Sequence, residues 1–130
     1  MYYSSSKYRP MNVLLRIGTF ALLFLPAACE QAFESSLENL QPKLLAPANN
    51  LASADTTHTF YWEVLPGAAS YQLQVVSPRF DSIARLAFDT TVTSNQIPLR
   101  LRSGDYQWRV RASNRGTVSA YSDTFRLTIQ

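Results

Sequence analysis

One histidine, one cysteine and nine Asp and Glu residues are the groups in this 130-residue chain that most often do catalytic or metal chemistry. Their arrangement argues against both. His58 lies in an alternating stretch and is read as a solvated strand residue on the side away from the core-facing set. A metal centre needs several His, Cys or carboxylate donors at ligand spacing, and the acids here are scattered singly. No glycine-rich phosphate loop occurs, and no Ser-His-Asp set assembles from the sequence. The expectation is a chain with no catalytic residues, no metal and no cofactor.

The residues better suited to chemistry are arginines and amides on alternating positions. Gln72, Gln74, Arg85, Gln107, Arg109, Arg111 and Arg126, with Val76 and Thr128, fall on the outward side of consecutive strands. Guanidinium is a planar donor for carboxylate, sulfate and phosphate, and amides suit sugar hydroxyls. This predicts a flat binding face for a protein or a glycan. The competing reading is a solvated sheet face whose arginine stems cover the strands beneath.

Period-two alternation defines the elements that must carry this face. Tyr106, Trp108, Val110 and Ala112 alternate with Gln107, Arg109, Arg111 and Ser113 as a central strand. Before it, Leu44-Leu45-Ala46-Pro47 reads as an edge strand and Ala48 to Thr56 as a loop. Thr57 to Val64 puts Phe60, Trp62 and Val64 inward, and Pro66-Gly67 turns the chain. Ser70 to Ser77 puts Tyr71, Leu73 and Val75 inward and ends at Pro78. Ser82 to Phe88 is a weaker strand, Ile97, Leu99 and Leu101 mark a short one, and Phe125, Leu127 and Ile129 the last. Short strands parted by turn residues predict an all-β sandwich.

Trp62 on an early strand, Tyr71-x-Leu73-x-Val75, Leu101 a turn before Tyr106, Trp108-Arg109-Val110-Arg111-Ala112 and Ser119-Ala120-Tyr121-Ser122 together resemble a fibronectin type III domain over residues 43–130. The resemblance implies an immunoglobulin-like sandwich of two antiparallel sheets, of three and four strands. Trp62 would be central in the core, to which Tyr71 and Trp108 also contribute. Tyr106 would be a tyrosine corner bonded back across its turn. Tyr121-Ser122 stands where the last strand of the family usually carries Trp-Ser.

The formal charge of +3 belongs to the start of the chain: from Cys29 onward nine basic residues balance nine acidic ones. A nucleic-acid partner, which calls for a clustered basic surface, is not expected. Lys7, Arg9 and Arg16 precede or interrupt an apolar run that ends in Ala27-Ala28. This is the pattern of a secretory signal helix over residues 1–28, with Met11 as an alternative start. Leu25-Pro26-Ala27-Ala28-Cys29 resembles a bacterial lipobox, with proline where leucine is usual. The resemblance implies acylation of Cys29 and a membrane anchor. A lone thiol in an exported chain has no internal disulfide partner, which leaves a buried thiol or an intermolecular bridge as the other readings. Residues 29–42 read as a polar tether, with Phe33, Leu37 and Leu40 at helical spacing and a Ser35–Glu38 capping box.

Asp55-Thr56, Asp81-Ser82 and Asp89-Thr90 resemble a short bacterial O-glycosylation sequon, which makes Thr56, Ser82 and Thr90 candidate acceptors in expected loops or strand ends. Taken together, the sequence predicts a lipoprotein of the cell envelope, on the outer membrane, displaying a non-catalytic binding module. The alternative is a structural subunit docked by its edge strands into a larger envelope assembly.

Overall fold

The computed structural model describes residues 35–130; the expected signal helix, Met11 and Cys29 lie outside them. Eight strands follow in order: β1 (Leu44–Ala46), β2 (Leu51–Ser53), β3 (Thr57–Trp62), β4 (Ser70–Arg79), β5 (Ser82–Val92), β6 (Gln96–Arg100), β7 (Gly104–Ser113) and β8 (Phe125–Ile129). They form two sheets, β1-β3-β6 and β2-β8-β7-β4-β5. The inward residues of both sheets make one core, with Phe60, Trp62, Leu73, Val75, Tyr106, Trp108, Val110 and Leu127 essentially without solvent contact. Its centre is aromatic. Phe60 meets Trp108 edge-on at 4.9 Å, Trp62 meets Tyr71 at 5.5 Å, and Trp108 meets Phe125 at 5.8 Å. Such T-shaped pairs add to the area term because ring edges and faces carry opposite partial charge.

Backbone polar groups are satisfied by local devices where the ladders stop. The Tyr106 hydroxyl donates to the Arg102 carbonyl at 2.7 Å, closing the turn into β7. The Tyr71 hydroxyl accepts the Leu65 N–H at 3.0 Å. Gly67 holds φ at +87°, which favours glycine, and an added Cβ would stand 3.0 Å from the Ser35 side chain, which would have to give way.

Several expectations are corrected. The stretch expected to be a loop, Ala48 to Thr56, contains β2, which runs parallel to β8 and adds a fifth strand to that sheet. Asn50 makes the entry at φ 63°, a conformation that asparagine tolerates. Asn49 Oδ1 accepts the Arg126 N–H, and the Asn50 N–H donates to the Arg126 carbonyl. A three-residue strand is too short to show alternation. Val64 lies past the end of β3 and is exposed, not inward.

Pro78 does not end its strand. β4 continues to Arg79 because the proline, which has no N–H to donate, sits at a register shift. β5 extends to Val92 and carries two extra residues. Val75 faces Phe88 but Val76 faces Leu86, leaving Ala87 unpaired; Ser77 faces Arg85 but Pro78 faces Ile83, leaving Ala84 unpaired. Each extra residue reverses the side to which the rest of the strand points.

Before β1, residues 35–42 form no helix and lie along the domain. Leu37 is 0% exposed and belongs to the core cluster. Its N–H donates to Thr117 Oγ1, Asn114 Nδ2 donates to the Ser35 carbonyl, and the Ala120 N–H donates to the Leu40 carbonyl. These partners hold the segment to the domain around a single turn, closed by the Leu40 N–H on the Leu37 carbonyl at 2.9 Å, where the helical spacing of Leu37 and Leu40 had suggested a helix.

A candidate binding face on the five-stranded sheet

The register of the sheet sets the face. β4 and β7 pair Gln72 with Arg111, Gln74 with Arg109 and Val76 with Gln107; β7 and β8 pair Gln107 with Arg126. The outward side chains of the first two pairs are bonded to each other. Arg111 Nε donates to Gln72 Oε1 at 2.7 Å. Arg109 donates to Gln74 Oε1 through Nε at 3.1 Å and Nη2 at 3.0 Å. On β5, Asp89 accepts the amide N–H groups of Gln72 at 2.7 Å and Gln74 at 3.4 Å. One carboxylate thereby turns both amide oxygens toward the arginines.

Two aromatic rings complete the arrangement. The Arg109 guanidinium lies 4.1 Å from the Phe80 ring centroid and 3.9 Å from that of Tyr121, and Arg111 lies 4.9 Å from Tyr121. Phe80 comes from the β4–β5 hairpin, where its N–H donates to Gln107 Oε1 at 2.9 Å. That fold of the hairpin accounts for Val76, which points outward yet is 1% exposed. Tyr121 comes from the segment ahead of β8. Ser119 and Ser122 hold this segment to β7: their hydroxyls accept the N–H groups of Ala112 and Val110, and their own N–H groups donate to the carbonyls of the same two residues. Both serines are buried. In effect two hydroxyls stand in for strand carbonyls.

Arg126 remains on this face, exposed and opposite Gln107, beside an open cleft of about 560 Å3 lined in part by Asn50, Arg79, Asp105 and Thr128. Thr128 Oγ1 donates to Asp105 Oδ1 at 2.8 Å. Arg85 does not belong to the face. The unpaired Ala87 turns it toward the other side of the sheet, where its Nη2 donates to the Tyr106 hydroxyl at 2.9 Å. Sequence reasoning missed Phe80 as a partner of Arg109 and missed Ser119 and Ser122 as anchors. The Ser119-x-x-Ser122 spacing was the available signal, but its role depends on a strand seven to twelve residues away.

The other candidates are placed as follows. His58 shares its side of β3 with Phe60 and Trp62, contrary to expectation; it is half-buried near the strand end, with Nε2 2.9 Å from the Asp55 carbonyl. Among the described residues no group of three or more His, Cys, Asp or Glu could hold a metal ion. Thr56 is exposed in a loop and Ser82 is exposed at the start of β5. Thr90 lies inside β5 opposite Leu73 and is half-buried, not at a strand end.

No family model matches the chain, and no curated protein matches it. Among solved structures it is similar to the fibronectin type III domain of human fibronectin type III domain containing protein 3, at 20% identity and a TM-score of 0.50, covering 73% of this chain and 89% of that one. It is also similar to the sixth fibronectin type III domain of the human protein of that name, at 14% identity and a TM-score of 0.46, with 74% and 86% covered. The fold is that of a fibronectin type III-like sandwich.

Proposed function

We propose that this chain is a non-catalytic lipoprotein of the cell envelope, anchored through Cys29, whose fibronectin type III-like domain is a binding module for a protein or a glycan. Domains of this fold commonly serve in binding or structural roles, and a fold alone transfers no ligand. The observation that carries the reading is the ordered outer face of the five-stranded sheet. Arg111 is oriented by Gln72 and Tyr121, and among the described residues no carboxylate lies within 4 Å of it. A guanidinium fixed in advance loses little freedom when it meets an oxyanion.

The test has two parts. Intact mass of the chain from membranes of a native-like host reads the anchor: cleavage before Cys29 with acyl-sized increments supports it, and an unmodified cleaved chain removes it. Sugar-sized increments would place glycans, for which Thr56 and Ser82 are the exposed candidates. Arg111→Gln then reads the face: lost adhesion of the domain to isolated envelope, at an unchanged melting temperature, supports the binding role.

A permanently docked structural subunit is the second reading, favoured by β5. This edge strand is eleven residues long, and Ile83 and Leu86 on it are 52% and 53% exposed. Its two extra residues work against flat pairing with a neighbour. Recovery of a stoichiometric partner after membrane solubilisation favours the docked subunit, and recovery of a monomer favours the free binder.

A further inference from the structure

Arg109 and Arg111 are held by rings and amides, whereas three other arginines gather where the two sheets part. Arg85, Arg100 and Arg102 line a cleft of about 350 Å3 whose apolar wall includes Leu86, Phe88 and Leu101. A second cleft of about 520 Å3 shares Arg100, Leu101 and Arg102 and adds Thr56 and Ser103. Leu101 is buried and its N–H donates to the Thr56 carbonyl at 2.7 Å, so the residues on either side of it are fixed at the backbone and both are exposed. Arg85 is tied in through one hydroxyl: its Nη2 donates to Tyr106 Oη, which donates to the Arg102 carbonyl. The ion pairs among the described residues are Lys43–Glu63 and Arg79–Asp81, so none of the three cleft arginines has a carboxylate partner.

Three guanidinium groups without a carboxylate partner thus gather around one opening, although from Cys29 onward basic and acidic residues are equal in number. We propose that the cleft binds the sulfate or phosphate groups of an anionic glycan. Forked N–H donors match such oxyanions. The Leu86, Phe88 and Leu101 wall suits the C–H face of a sugar ring, and the Ser103 hydroxyl suits its hydroxyls. A nucleic acid fits less well, because base stacking needs an exposed aromatic platform and Tyr106 is buried here. This site is separate from the outer face of the five-stranded sheet and does not rest on it.

The experiment is calorimetric titration of the full chain in mild detergent with a heparin octasaccharide, a phosphorylated mannan fragment and a dextran oligosaccharide, and a flotation assay with phosphatidylglycerol vesicles. Binding of one or both charged glycans, weakening as salt rises, with dextran silent, is the expected result. In the Arg100→Gln, Arg102→Gln double variant the affinity falls about ten-fold or more, and the slope of log affinity against log salt drops by roughly two. Melting curves of the double variant overlay the parent, since both side chains are exposed. Arg115→Gln, an exposed arginine at the opposite end of β7, binds as the parent does. No binding by the parent overturns the proposal, as does an equal loss in Arg115→Gln, which would reveal diffuse charge attraction. Binding to vesicles but to neither charged glycan also overturns it and makes the cleft a membrane contact.

Discussion

Arg109 and Arg111 are the same residue type two positions apart on one strand, yet their surroundings differ. Arg109 is enclosed by two rings and uses two nitrogens on one amide oxygen. Removing it strips a cover from Phe80 and Tyr121 and leaves Gln74 Oε1 without its donor. Arg109→Ala is expected to cost ~1.5–3.5 kcal/mol, from two cation–π contacts of ~0.5–1 kcal/mol each and a lost hydrogen bond of ~0.5–1.5 kcal/mol. Arg109→Lys should recover only part of this, because an ammonium cannot stack as a plane. Urea titration of both variants measures it; an Arg109→Ala midpoint equal to the parent would show that the stack contributes nothing. The alternation of β7 made both arginines legible as outward residues. Their partners were not legible, because Phe80 sits in a hairpin and Tyr121 in a segment with no strand period. Arg85 shows the complementary failure. Its position follows from an extra residue two places along, and alternation carries no mark of where pairing slips.

Among the elements, the segment from Thr117 to Asp123 behaves as a strand without being one. Ser119 and Ser122 extend the ladder on β7 past the start of β8, where Val110 and Ala112 would otherwise lose partners. Ser122→Ala should therefore leave the Val110 N–H buried and unsatisfied, at about 1–3 kcal/mol. Hydrogen exchange is the direct readout: the Val110 amide should exchange faster while the Ala112 amide, bonded to Ser119, and the β4 amides keep their protection. Uniform loss across both strands would instead mean a global effect. The main strands were readable because their inward residues repeat strictly, as in Tyr71, Leu73 and Val75. β2 was not, since its three residues owe their place to the Asn49 and Asn50 bonds with Arg126. Two costs remain in the core: the indole N–H groups of Trp62 and Trp108 are buried with no hydrogen-bond partner. Ring burial outweighs them, since truncating such a residue usually costs ~3–5 kcal/mol.

For the molecule as a whole, the domain reaches further toward the N-terminus than its strands do. Leu37 fills a core position, so a chain beginning at Lys43 leaves a gap in the cluster. Relative to one beginning at Gln31, it should be less stable by ~2–5 kcal/mol, the usual range for loss of a buried leucine. Equal denaturation midpoints would show that Leu37 is dispensable. Ser35 meets Asn114 and Gly67 at one end of β7, while Arg102 and Tyr106 lie near the other. The chain thus enters at one pole, and the arginine cleft lies at the opposite one, about a strand's length away. A pull between a ligand in that cleft and whatever holds the N-terminal end runs along the strands. The bonds between antiparallel strands lie across that direction. Such a pull loads the short β1–β3 pairing in shear, its few bonds together, instead of peeling them singly. The first contacts to feel it are Leu37 in its pocket and the bond between Leu40 and Ala120.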